Sequence, residues 1–468
     1  MNTIVPPSVE TRASQLMQKQ RAFFNSGKTK AVAFRKRQLK ALKDAILKYE
    51  SEIAQALYED LHKCEFEAYG TETGFVLADL DYVLKYIDRW ASVKRVSTPL
   101  FHFKSSSRIY PEPYGVTLII SPWNYPFQLL VSPLIGAIAA GNTAILKPSE
   151  HSPKVSGLVT KMVREIFDEE YVAVVEGGIQ PTQELLAEQF DYIFFTGGTE
   201  VGRIIYQAAA KHLTPVTLEL GGKSPCIVDK DIHLEYTARR IVWGKFINAG
   251  QTCIAPDYVL VHKDVKDKLL ARIKEKMAEY YGEDPQKSKE YGRIINHRHF
   301  KRLCGLLDEE HIIAGGQVDE EDKYIAPTVM DNVNWDMPVM QEEIFGPILP
   351  ILVYDKLEDA IATVNAHPKP LALYVFSNNS SKVEQVLKQT SSGGAAVNDT
   401  LVHIANPELP FGGVGASGMG AYHGKGSFET FSHYKSVLEK SNLFDVPVRY
   451  PPYKVSLDTL KFFFKTGM

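Results

Sequence analysis

From Val116 to Leu220 the chain alternates strands and helices with a regularity that few folds accept. Short runs rich in β-branched and aromatic residues stand at Val116–Ile120, Thr143–Lys147, 172–176, Tyr192–Thr196 and 216–220. Helical stretches separate them: an apolar one over 127–140 stopped by Gly141, another over 153–167, and one after each of the next two strands. Strands joined through helices of this length predict a parallel, doubly wound α/β sheet, with ligands at the carboxyl ends of its strands. Residues 221–418 read as a second α/β unit, with apolar strands near Tyr258–His262, 350–354 and 395–398. A chain of 468 residues is too long for one core, which fits two or three domains. Residues 8–96 read mostly as helices, with Gly70 interrupting one. Two alternating runs around Ser105-Ser106-Ser107 suggest an exposed hairpin with a serine turn.

The stretch 114–146 carries no charge and is long enough to cross a bilayer. Pro122, Pro126, Pro133, Gly136 and Gly141-Asn142 divide it into strand, loop, helix, turn and strand, so it reads as buried α/β core. The first residues, Met1 to Pro7, lack a basic segment followed by a long apolar run, so no signal peptide is expected and a cytoplasmic location follows. A net charge of −3 without long blocks of either sign gives no reason to expect a nucleic-acid partner. Cys64, Cys226, Cys253 and Cys304 are scattered without a CxxC pair; that fits a reducing compartment and argues against disulfides and a zinc or other metal site. Beyond Met419 the chain turns aromatic and proline-rich, ending in Lys461-Phe462-Phe463-Phe464-Lys465. Three apolar residues cannot span a membrane; docking on the protein body, a partner subunit or a lipid surface stays open.

Chemistry concentrates in motifs at predicted strand ends. Cys253 in Gly250-Gln251-Thr252-Cys253 has small, polar neighbours that suit an exposed nucleophile, although a free cysteine is more often simply buried. Glu219, in Glu219-Leu220-Gly221-Gly222-Lys223, suits a base on a turn that a substrate can approach. Asn124 in Pro122-Trp123-Asn124-Tyr125-Pro126 is a candidate oxyanion donor or a turn residue. Lys147-Pro148-Ser149-Glu150 can grip ribose hydroxyls, start a helix, or both. Gly197-Gly198-Thr199-Glu200-Val201-Gly202 lets a helix N-terminus approach a pyrophosphate. Glu342-Glu343-Ile344-Phe345-Gly346-Pro347 can hold a ribose and cover a nicotinamide, or form a plain turn, and Asn398-Asp399-Thr400 has the same ambiguity. A literal GxGxxG at Gly413–Gly418 follows no strand and is rejected as a nucleotide loop.

Taken in order, PWN, KPSE, FTGGTEVGR, LELGGKSP, GQTC and EEIFGP resemble the aldehyde dehydrogenase superfamily over nearly the whole chain. The segment 410–424 resembles its class 3 branch of fatty and aromatic aldehyde enzymes. The resemblance implies a Rossmann-like cofactor domain (1–96 and 113–219), a catalytic domain (220–418) and a bridging, oligomerisation region (97–112 and 419–468) of a homodimer. It implies that Cys253 attacks the aldehyde, that Asn124 and the Cys253 N–H hold the oxyanion, and that Glu219 activates the water that releases the acid. It places Lys147 and Glu150 on the adenosine ribose, Gly197 and Gly202 at the pyrophosphate, Glu343 and Phe345 by the nicotinamide ribose, and Tyr125 at the substrate entrance. Glu150 favours NAD, with NADP possible; the aldehyde is expected to be medium or long-chain, aromatic or apocarotenoid-like. Gly198 stands where many relatives carry serine or asparagine. A CoA-acylating relative is disfavoured by Glu219, a cysteine thioesterase by the lack of a histidine motif, and a non-enzymatic binding protein by the intact Cys253, Glu219 and Asn124.

Overall fold

In the computed structural model, which describes residues 11–99, 102–443, 445 and 447–466, five helices precede the first sheet. They are α1 (Arg12–Asn25), α2 (Val32–Lys48), α3 (Glu50–Leu61), α4 (Glu65–Ala68) and α5 (Gly74–Trp90). The expected interruption at Gly70 is a π-helical turn, Tyr69–Thr73, between α4 and α5. Met1 to Pro7, on which the signal-peptide expectation rests, lie outside the described residues.

The hairpin differs from its prediction. Strand β1 (Lys94–Val96) pairs antiparallel with β2 (Ser105–Pro113), so the serines begin a strand instead of forming a turn. Residues 102–104 are in the turn, while Phe101 lies outside the described residues. The cause is a distant partner: β2 pairs along its whole length with the strand Ser432–Lys440, from Pro113↔Ser432 to Ser105↔Lys440. Backbone pairing with that long strand overrides the turn preference of serine.

The α/β alternation follows as read. Strands β3 (Val116–Ile120), β4 (Thr143–Lys147), β5 (Val172–Val174), β6 (Tyr192–Thr196) and β7 (Val216–Glu219) alternate with α6 (Gln128–Ala140), α7 (Pro153–Ile166), α8 (Ile179–Ala187) and α9 (Thr199–Ala210). Every α6 residue is buried, which explains the absence of charge, and Gly141 ends the helix at φ 100°. The five strands are parallel, in the spatial order β7-β6-β3-β4-β5. The chain reverses direction of winding between β3 and β6, and a crevice at the carboxyl ends belongs at that switch point.

The second sheet is built from β8 (Pro225–Val228), β9 (Tyr258–His262), β10 (Ile312–Ala314), then, past the small ribbon of β11 (Val318–Asp319) and β12 (Tyr324–Ile325), β13 (Thr328–Met330), β14 (Ile348–Tyr354), β15 (Ala372–Phe376) and β16 (Gly394–Val397). Its order is β10-β13-β14-β9-β8-β15-β16, parallel except for β10 at one edge. Helix α10 (Leu234–Phe246) follows β8, α11 (Lys266–Tyr281) follows β9, and α12 (His297–Cys304) comes before β10.

After β16 the chain returns to the first sheet before it reaches the β2 ribbon. Strand β17 (Gly418–Met419) lies antiparallel on β7, Gly418 opposite Glu219. A Cβ on Gly418 would run into the Leu218 carbonyl and one on Gly413 into the Ser417 carbonyl. Of the GxGxxG glycines, Gly418 therefore serves close backbone approach to the strand that carries Glu219, and Gly413 the tight turn before it. The helix Lys425–Thr430 then precedes β18 (Ser432–Lys440), and a final helix covers Leu457–Thr466.

Candidate active site

Every motif singled out in the first sheet sits at a strand's carboxyl end. Glu219 closes β7, Thr196 and Gly197 close β6, Asn124 follows β3, and Lys147 closes β4. From the other sheet, the loop after α10 brings Cys253 up to Glu219. That loop is tightly wound, with Asn248 at φ 52°, Ala249 at φ 50° and Gly250 at φ 73°. A Cβ on Gly250 would collide with the Gly346 carbonyl, so the Gly of GQTC and that of EEIFGP are packed backbone to backbone.

Buried polar groups hold Asn124 against this loop. The Asn124 amide donates to the Gln251 carbonyl at 3.0 Å, and its own carbonyl accepts from Asn248 Nδ2 at 2.8 Å and Lys63 Nζ at 3.3 Å. Lys63 forms a fully buried ion pair with Glu72 at 2.7 Å and lies 4.2 Å from the Tyr125 ring centroid. The other Glu72 oxygen accepts the N–H groups of Phe127 and Gln128, fixing the start of α6. The Tyr125 hydroxyl and Thr252 Oγ1 are 2.6 Å apart. Gln251 completes the frame, donating to Asn248 and Arg293 carbonyls and accepting from the Ile295 N–H at 3.0 Å.

Two cavities meet at Cys253 and Glu219. The first, about 180 Å³, is an apolar tunnel walled by Phe75, Leu129, Trp243, Ile254, Leu401 and Phe411, with Tyr125 in its lining. The second, about 320 Å³, is a groove bounded by Trp123, Asn124, Gly197, Gly198, Glu343 and Phe345. Cys253, Glu219, Thr196 and Leu129 line both. Glu219 is 3% exposed, and neither carboxylate oxygen has a hydrogen-bond partner, so burial pushes its pKa well above the usual carboxylate value. Burial, and then the charges of Glu343 and Glu219, raise the Cys253 thiol too, against the pull of the Cys253 and Ile254 N–H groups. The resting site thus holds a neutral thiol beside a bare carboxyl group, and attack needs a base to take the thiol proton.

The groove shows features that suit a dinucleotide. Gly197 is hemmed in by the Phe195 ring, 2.5 Å from where its Cβ would be, and Gly202 by Leu220 at 2.6 Å, which draws α9 onto the strand ends. Nothing lies within 4 Å of a Cβ on Gly198, and its φ of −72° is ordinary, so a serine or asparagine would fit there without changing the loop. Glu343 accepts the Gly222 N–H, and burial with Asp257 nearby raises its pKa to about 8. Phe345 has a φ of 50° and meets Trp123 edge-on at 5.4 Å. The Glu343 loop is tied down by Lys223, which bonds Asp257 and the Val339 and Glu342 carbonyls, and by Asp257, which accepts the Ile344 N–H at 2.8 Å. Arg302 adds bonds to Glu342 at 2.8 Å and to the Ile344 carbonyl at 2.5 Å.

Lys147 and Glu150 lie outside the lining of this groove, one strand further along the sheet. Lys147 is buried, donates to the Pro148 carbonyl at 2.8 Å and sits 3.9 Å from Glu150; burial lowers its pKa. Asn398-Asp399-Thr400 does not reach the site. Asn398 bonds Ser377 through its side chain, and Thr400 donates to the Arg240 carbonyl at 2.7 Å, anchoring the loop that carries Leu401 to α10. The sequence reading missed the tunnel walls Phe75, Trp243, Leu401, Phe411 and Tyr422, and the groove residues His299 and Arg302. These are isolated aromatic, apolar or charged residues in helices and loops, and no local spacing marks them. Thr196 adjoins Gly197 within the FTGG motif and could have been read from it.

A thiol and an unpaired carboxyl group at the junction of an apolar tunnel and a second groove lined by glycines suit an enzyme that works on a reactive carbon. A sequence model described as the aldehyde dehydrogenase family matches residues 4–437, and the chain belongs to that family. It is 53% identical over 447 residues to the 4,4'-diaponeurosporen-aldehyde dehydrogenase of Staphylococcus aureus, covering 95% of this chain and 97% of that one. It is 48% identical over 444 residues to the dimeric NADP-preferring aldehyde dehydrogenase of Canis lupus familiaris, covering 94% and 98%. The solved substrate-bound state of Staphylococcus aureus AldH matches with a TM-score of 0.96 and 52% identity, over 97% of this chain and 100% of that one. The protein lies on the class 3-like branch and oxidises an aldehyde to the carboxylic acid with NAD or NADP. Among the described residues there is no group of side chains that could hold a metal and no helix long and apolar enough to cross a membrane.

Proposed function

We propose that Cys253 and Glu219 divide the reaction into acylation and hydrolysis at one junction. Cys253 gives its proton to Glu219 in its ionised form, which passes it to solvent, and its sulfur bonds to the aldehyde carbon, giving a hemithioacetal oxyanion. The Cys253 N–H and the second Asn124 amide proton, the first being engaged by Gln251, stabilise that oxygen. When bound, the oxidised nicotinamide supplies the hydride acceptor that turns the hemithioacetal into a thioester. Glu219 then takes a proton from water as the water oxygen attacks the thioester carbon; the carbon–sulfur bond breaks and the acid leaves. Glu343 and Phe345 position the nicotinamide ribose, Gly197 and Gly202 the pyrophosphate, and Lys147 and Glu150 the adenosine ribose. Because Glu150 would repel a 2′-phosphate, NAD is the preferred form.

The observation that carries the substrate reading is the tunnel, whose walls offer mostly apolar and aromatic side chains to whatever reaches Cys253. A medium or long-chain, aromatic or apocarotenoid-like aldehyde gains from filling it at roughly 0.8 kcal/mol per buried methylene. Tyr125, which lines the tunnel, guards its approach to the thiol. Formation of reduced cofactor with decanal and benzaldehyde should exceed that with acetaldehyde at equal concentration, and Cys253→Ala should abolish it. Acetaldehyde turned over as well as decanal would refute the substrate class.

The wider assignments rest on the same reading. Residues 1–96 and 113–219 form the cofactor domain, 220–418 the catalytic domain, and 97–112 with 419–468 the bridging region of a cytoplasmic homodimer. The β1-β2-β18 ribbon, a sheet separate from the two larger ones, supports the bridging role.

A further inference from the structure

Beside the tunnel lies a niche of about 60 Å³ that shares Phe75, Ile404 and Ala405 with it. Its other lining includes Asp79 of α5 and His423. The Phe75 ring, common to both linings, stands edge-on to the His423 ring at 5.4 Å. Asp79 is 8% exposed and His423 4%. One Asp79 oxygen accepts the Gly424 N–H, while Oδ2 and His423 Nε2 are buried without a partner. Two residues that line one small space and each leave a buried polar atom bare are unusual in a folded protein, where buried polar groups are nearly always paired.

The tunnel is apolar and the niche is not, so a chain long enough to pass Phe75 meets a different chemistry at its far end. A volume of about 60 Å³ admits a hydroxyl and its carbon, given that a water molecule occupies ~30 Å³. A carboxylate would be repelled by Asp79 in its ionised form, which burial confines to pH above about 7. An ammonium would have to shed its hydration among Phe75, Ile404, Ala405 and Pro407, facing an imidazole that burial keeps neutral. A hydroxyl has the donor and acceptor that these two atoms lack: its proton can go to Asp79 Oδ2 and its lone pair can accept from His423 in the Nε2–H tautomer.

We propose that the Asp79–His423 niche is a subsite for a hydroxyl at the far end of a long aldehyde, making ω-hydroxyaldehydes of sufficient reach preferred substrates. This rests on the reading of the tunnel as the aldehyde site. The test compares kcat/KM for matched n-alkanals and ω-hydroxyalkanals from hexanal to hexadecanal on the intact enzyme. At short lengths the hydroxyl is stranded in the apolar tunnel and the ω-hydroxy compound is the poorer substrate. At the length that reaches the niche the ratio inverts, to a preference of about tenfold. Asp79→Leu removes the inversion at that length, with its melting curve confirming the fold. A ratio at or below one at every length in wild type overturns the proposal whether or not the variant folds, as does an inversion that survives Asp79→Leu. Failure of the tunnel reading is distinct: the n-alkanals would then be no better than acetaldehyde.

Discussion

Burial raises the Cys253 thiol first, and the charges of Glu343 and Glu219 raise it further wherever those groups are ionised. Glu343 carries its charge only above about pH 8, so its effect on the thiol has a window. Below that pH, wild type and Glu343→Gln should be alkylated by iodoacetamide at the same rate in the absence of cofactor. Above it, the wild-type rate should fall below the variant's, because a nearby negative charge disfavours thiolate. Equal rates across the range would remove Glu343 from the thiol's electrostatics. Lys63 gives a second residue-scale prediction. Lys63→Met leaves Glu72 unpaired at full burial, a change expected to cost about 3–5 kcal/mol in denaturant unfolding. Lys63→Met with Glu72→Gln should recover part of that loss. The single variant should also lower kcat by loosening Asn124, whose carbonyl accepts from Lys63.

The element that defines the site is the loop from Ile247 to Cys253, wound through three successive residues at positive φ. Gly250→Ala adds a methyl where the Gly346 carbonyl already lies, and should destabilise by about 1–3 kcal/mol from overpacking while reducing kcat. Thermal unfolding and turnover together check this; an alanine variant of unchanged stability would mean that the two loops are not in register as described. This element also shows where sequence stops. GQTC and its glycine are visible in the chain, but the partner that forbids a side chain at 250 is a carbonyl almost a hundred residues later. The same limit explains the hairpin. Ser105 to Ser107 have turn chemistry, and only the pairing with Leu438, Glu439 and Lys440 makes them a strand. By contrast, β3 to β7 with their helices were legible because each strand is buried on both faces and each helix is local.

Over the whole molecule, the strand-end motifs were readable because a parallel sheet places the residue after each strand on one edge. The tunnel was not, because Phe75, Trp243 and Phe411 come from three distant segments that only the packed fold assembles. The proposed dimer is tested at this scale. Light scattering should give twice the 52.5 kDa chain mass, and a chain ending before Ser432 should lose that state along with the β2–β18 pairing. The central claim is that one thiol and one bare carboxyl group carry successive steps, and trapping between them tests it most directly. Glu219→Gln mixed with NAD and decanal should release one burst of reduced cofactor per site, then stall with a decanoyl thioester detectable by mass on the peptide carrying Cys253. Continued turnover by that variant, or a burst without acylated Cys253, would contradict the account.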